Sequence, residues 1–93
     1  MKKPFPLQIG RVVLSKAGRD SGDAFVVLAL AAPDRVLVAD GRKHRADHPK
    51  SKNALHLAAK PQIVQEVAQR LAQGERVCDE MLIRGLREAG YDT

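Results

Sequence analysis

Ile9-Gly10-Arg11-Val12-Val13-Leu14-Ser15-Lys16-Ala17-Gly18-Arg19-Asp20-Ser21-Gly22, followed by Phe25-Val26-Val27, is the stretch whose reading decides the fold. Ile9, Val12, Val13 and Leu14 form a β-branched, apolar run. A loop follows with glycines four apart and basic residues between them, and a second apolar run leads out. The pattern reads as strand, loop, strand. Gly18 and Gly22 allow positive φ and the close approach of another backbone. A nucleic-acid backbone can then lie against the loop amides while Lys16 and Arg19 reach phosphates. The same spacing also suits an ordinary hairpin loop that needs glycine for its turn.

Working outward, three strand-like runs come first, at 8–16, 23–31 and Arg35–Ala39. Pro33-Asp34 separates the second from the third, and Asp40-Gly41 closes the third and opens a hairpin turn. A fourth strand is expected through 43–46 and a fifth around Leu57, with Leu55 and Leu57 in alternation. Five short strands joined by tight turns suggest a small barrel. Beyond Lys60 the apolar period changes. Ile63, Val64, Val67, Ala68 and Leu71 recur at helical spacing, which predicts a helix over 61–72. Pro61 suits its first turn and Gly74 the position just past its end. A second helix is expected over 79–89, capped by Cys78 or Asp79, with Leu82, Ile83 and Leu86 on its apolar face and Gly90 at its end. Gly85 inside it costs roughly 1 kcal/mol relative to Ala. The expectation is a mainly β fold with an α tail: a five-stranded barrel over 1–60 and a helical segment over 61–93.

The totals agree with one small domain. The chain has 93 residues, 44% hydrophobic but only 3% aromatic, so its core must be aliphatic. The net charge of +5 is unevenly spread. Up to Lys60 there are twelve Lys or Arg against five Asp, and after it four Arg against six acids. A polyanionic partner is therefore expected for the first part only. The single Cys78 permits no internal disulfide, which fits a reducing compartment. Lys2 and Lys3 are not followed by an apolar stretch, so no signal peptide is expected. The longest apolar run, 24–33, is too short to span a bilayer. A cytoplasmic protein is expected.

Several ordered pieces of the sequence resemble the KOW motif. They are Gly10-Arg11-Val12-Val13, Lys16-Ala17-Gly18-Arg19-Asp20, Gly22, Phe25-Val26-Val27, Val36-Leu37-Val38 and Asp40-Gly41. Together with Pro49-Lys50-Ser51-Lys52-Asn53 and His56-Leu57, they make residues 8–57 similar to the family of the fourteenth large-subunit ribosomal protein of archaea and eukaryotes and its small bacterial KOW-domain relatives. The tail resembles their C-terminal helical segment more loosely. The chain departs from that pattern at Asp23, where a basic residue is expected after Gly22, and at Ser51, which interrupts a basic run. The resemblance implies an SH3-like barrel that binds structured RNA, chiefly ribosomal RNA, in the translation machinery.

A second basic cluster holds Arg42, Lys43, His44, Arg45, Lys50 and Lys52, with Asp47 the one acid inside it. Without aromatic residues it fits phosphate contact and shape reading of structured RNA. Stacking on single strands would need exposed rings. The bland alternative is a solvated loop. The candidate RNA-binding set is Lys16, Gly18, Arg19, Gly22, Arg42, Lys43, Arg45, Lys50, Lys52, Asn53 and His56.

Other sites are weak. His44 and His48 fall in an expected strand and loop, without Cys or Glu neighbours, so no metal site is expected. Cys78 reads as a capping or buried thiol. Asp20, Asp23, Asp34, Asp40 and Asp47 all fall in turns, where Asp is common for backbone reasons. No Gly-Lys-Ser/Thr follows Gly18 and Gly22. No catalytic constellation and no cofactor are expected, and the chain does not read as an enzyme. Two alternatives stay open: a protein-interaction module, and a transcription-associated KOW module. Either would use the barrel or the tail. The apolar helix faces must also pack on something: the barrel, a second copy or another protein.

Overall fold

The strands owe their positions to alternation. Along β2 (Ala24–Ala31), Ala24, Val26 and Leu28 point to one face of the sheet, and Phe25 and Val27 to the other. Both sets are buried, so the run reads as continuously apolar rather than as apolar alternating with polar. The structure, a computed structural model, describes residues 5–31 and 33–91. The basic opening at 1–4 and Ala32 lie outside them. Among the described residues, no helix is long and apolar enough to cross a membrane.

Five antiparallel strands form one sheet: β1 (Arg11–Ser15), β2, β3 (Arg35–Ala39), β4 (Lys50–Asn53) and β5 (Leu57–Ile63). The spatial order is β4-β3-β2-β1-β5. Val13 lies opposite Phe25 on β2 and opposite Ala59 on β5, and Val38 lies opposite both Val27 and Lys50. A single 3-10 turn, Ala54–His56, joins the two edge strands β4 and β5. Asn53 Oδ1 accepts from Leu55 N at 2.9 Å and caps that turn. Two helices follow, α1 (Gln65–Ala72) and α2 (Asp79–Glu88).

The two sheet faces build two cores. On one, Val13, Phe25, Val27, Val36, Val38 and Leu57 pack together with Leu7, Ala54 and Ala59. On the other, Val67 of α1 and Leu82 and Leu86 of α2 cover Val12, Ala24, Val26, Leu28 and Ala39. The helix faces are thus satisfied by the sheet. Burying each side chain of this kind contributes about 1.5–3 kcal/mol before entropy is set against it.

Three expectations about element bounds are corrected. Residues 43–46 are a loop, because side-chain carboxylates take the backbone donors there that a strand ladder would need. Asp40 Oδ1 accepts from Arg42 N (3.0 Å) and His44 N (2.9 Å), and Asp79 Oδ1 accepts from Ala46 N (2.7 Å). The fourth strand is instead the polar Lys50–Asn53, an edge position where lysines are tolerated. Leu55 belongs to the 3-10 turn and is 78% exposed. Finally, α1 begins at Gln65 rather than Pro61, since β5 runs on to Ile63, opposite Arg11. Pro61 is accommodated because β5 is an edge strand. The second helix lies where it was expected, with Cys78 at its N-cap and Gly90 beyond its end at φ +93°. Cys78 is exposed rather than buried and makes no side-chain capping bond.

Arg11 ties the chain's beginning to β5. It is 5% exposed. Its guanidinium donates to Pro6 O (3.0 Å), Lys60 O (3.2 Å), Pro61 O (3.1 Å) and Gln8 Oε1 (3.1 Å), and it lies 5.4 Å from the Phe5 ring centre. Four acceptors around a planar fork of donors compensate the burial of the charge.

Candidate nucleic-acid interface

The loop between β1 and β2 turns on glycine. Gly18 has φ +80° and Gly22 φ +91°, and both are exposed. The loop closes on itself through Ser21 N to Gly18 O (3.2 Å), Asp23 N to Asp20 O (2.8 Å) and Gly22 N to Ser15 O (2.8 Å). These bonds turn Asp20 inward. Its carboxylate, only 5% exposed, is the meeting point of three segments distant in sequence.

Lys43 Nζ lies 3.0 Å from Asp20 Oδ1, His44 Nε2 3.4 Å from the same oxygen, and Lys52 Nζ 3.1 Å from Oδ2. Lys52 also reaches Ser15 Oγ at 3.4 Å, and Ser15 Oγ donates to Ala17 O at 3.0 Å. The His44 ring stands 5.7 Å from that of Phe25, which joins this cluster to the strand core. Burial by itself would push the Asp20 carboxyl up. The bonds from Lys43, Lys52 and His44, with the charge of Lys52, outweigh it and hold Asp20 well below the usual carboxylate range. The bond to Asp20 in turn raises the Lys43 ammonium above its ordinary value. Asp23 adds a longer contact to Lys43 at 3.5 Å.

The eleven residues singled out from sequence therefore separate into three groups. Lys43, Lys52 and Arg45 already have acidic partners; Arg45 Nε lies 3.0 Å from Asp79 Oδ2. Asn53 is occupied as a cap. Lys16, Arg19, Arg42 and Lys50 are exposed and make no ion pair among the described residues. His56 is exposed beside them in the chain pairing, its carbonyl accepting from Lys16 N at 2.8 Å. Gly18 and Gly22 leave the loop backbone approachable: a methyl group at Gly22 would meet nothing within 4 Å, and one at Gly18 only Lys52 Nζ at 3.9 Å.

Sequence reasoning missed Asp20, which was read as one of five turn aspartates. Asp40 does play that backbone role. The signal for Asp20 is a lone acid in a loop otherwise rich in cations, but its partners come from other elements. No protein-family model and no curated protein matches the chain.

Proposed function

We propose that the chain is a KOW-type RNA-binding protein of the translation machinery, built on an SH3-like barrel and contacting structured, chiefly ribosomal, RNA. The barrel reading is supported by the strand order β4-β3-β2-β1-β5 and by one 3-10 turn bridging the two edge strands. It is also supported by an inner core that consists almost entirely of strand side chains. The observation that carries the function is the division of the cations. Asp20 consumes Lys43 and Lys52 to pin the β1–β2 loop, while Lys16, Arg19, Arg42 and Lys50 stay exposed, with no ion pair among the described residues, and can meet phosphates. Cations without an internal partner are the ones that can release phosphate counterions on binding.

A protein-interaction module working through the tail is less well supported, because Val67, Leu82 and Leu86 are spent on the sheet. The test is binding of a hairpin RNA, followed by fluorescence anisotropy over a salt series. Four phosphate contacts at 0.7–0.9 each give an expected log–log slope of about −3. Absence of binding at low salt, or a slope near zero, overturns the reading. Crosslinking in cells with sequencing of the bound RNA tests its ribosomal part.

A further inference from the structure

By charge count the tail is the acidic part of the chain, yet folding turns part of it toward the basic loop. Arg70, in the last turn of α1, and Arg76, in the α1–α2 connection, line a groove of about 390 Å³ together with Arg45 from the loop after β3. Asp47, Val77, Cys78 and Asp79 contribute to the same walls. Asp79 neutralises Arg45, which leaves Arg70 and Arg76 against Asp47 alone among the charged lining side chains. Both carboxylate oxygens of Asp79 are engaged, Oδ2 by Arg45 and Oδ1 by Ala46 N. Among the tail arginines, Arg84 is paired with Glu66, whereas Arg70 and Arg76 have no ion pair among the described residues. Three guanidiniums from three separate segments thus converge on one concavity. Planar guanidinium groups suit bidentate contact with phosphate oxygens.

We infer that this groove is a second RNA phosphate-binding subsite, with Arg70 and Arg76 as its free cations and Arg45 as its wall. The inference rests on the RNA-binding reading and extends it to a part of the chain where no polyanion contact was expected. One surface loop joins the two places: Lys43 and His44 hold one flank at Asp20, Arg42 is exposed, and Arg45 and Ala46 are held by Asp79 on the other flank. An RNA backbone seated at Lys16 and Arg19 would find further cations along that loop, leading to the groove.

The wild-type chain offers a direct readout, because Cys78 is its one cysteine, is exposed, and lines the groove. A bound hairpin RNA should slow alkylation of Cys78 by a thiol reagent several-fold, and the slowing should disappear at high salt. In parallel, R70Q/R76Q should weaken hairpin binding: with these two contacts added to the four, the wild-type log–log salt slope steepens to about −4.5, and the variant should return to about −3. Its melting curve should stay close to wild type. The loop variant K16Q/R19Q separates the two claims. If K16Q/R19Q weakens binding but R70Q/R76Q does not, and Cys78 stays fully reactive with RNA bound, the groove inference falls and the RNA reading stands. If the wild-type chain binds no hairpin RNA, both fall.

Discussion

Lys52 Nζ lies 3.1 Å from Asp20 Oδ2, with both side chains turned away from solvent at one end of the sheet. Lys52 is on β4 and faces the same side as Val36, its partner on β3; Asp20 belongs to the loop between β1 and β2. The pair therefore fastens a mobile type of element, a glycine-containing loop, to an edge strand. Lys43 and His44 bring a third segment to the same carboxylate. A salt bridge in this setting contributes less through its own net energy than through the penalty for breaking it, since removal of one partner strands the other charge.

Asp20→Asn tests this anchoring. Loss of the carboxylate should destabilise the fold by about 3 kcal/mol, the usual consequence of leaving a buried cation unpaired. The variant is one unit more positive, yet it should bind RNA more weakly, because the loop carrying Lys16 and Arg19 is no longer held. Tighter binding with unchanged melting would mean that Lys43 and Lys52 are themselves RNA contacts and Asp20 a competitor.

The same carboxylate sets a pH dependence. Its folded-state pKa is depressed below the unfolded value of about 3.9, so its stabilising contribution is complete above roughly pH 5 and is lost as pH falls through the folded value. Thermal melts of the wild-type chain should drop steeply between about pH 5 and 2, and Asp20→Asn should flatten that dependence. Parallel pH profiles for the two proteins would remove Asp20 from the account of acid stability.

Gly85 sits within α2, where alanine would ordinarily gain about 1 kcal/mol from helix propensity. Here a Cβ would stand 2.6 Å from Val64 Cγ1 and 2.9 Å from Cγ2. Val64 is β-branched and stiff, and overpacking of this kind costs about 1–3 kcal/mol. Gly85→Ala should therefore lower Tm. Val64→Ala should rescue part of the loss in the double variant, giving a clear coupling term in a double-mutant cycle. A Gly85→Ala protein that melts higher than wild type would show that α2 does not pack this closely.

Arg11→Lys retains the charge but loses the fork of donors. A single ammonium cannot reach Pro6 O, Lys60 O, Pro61 O and Gln8 Oε1 together, and the part-buried acceptors left bare together cost about 1–3 kcal/mol. A Tm lower by about 10 °C is expected by differential scanning calorimetry. A change within error would mean that the carbonyls are readily hydrated.

A chain ending at Val64 keeps all five strands but uncovers Val12, Ala24, Val26 and Leu28. It should lose its cooperative melting transition or show a much lower Tm, while the full-length chain sediments as a monomer. Unchanged melting of the shortened chain, with a dimeric full-length protein, would make the helices an association element instead.

The sequence by itself determined the parts of this protein that depend on local pattern. The short, continuously apolar runs of β1, β2 and β3 specify extended chain, and the 3.6-residue spacing of Leu82 and Leu86 with Gly90 beyond them bounds α2. The positive φ at Gly18 and Gly22 was legible too, because only glycine adopts it freely. Tertiary structure alone decided the rest. Lys50–Asn53 has no apolar signal and is a strand because β3 offers it a ladder, while 43–46 is a loop because Asp40 and Asp79 capture its backbone donors. Among the basic residues, charge patterning shows how many cations there are but not which have partners. Asp20 and Asp79 lie 23 to 34 residues away from the cations they bind, and no local pattern reports such a distance. Pairing across the fold therefore decides which of these cations remain free.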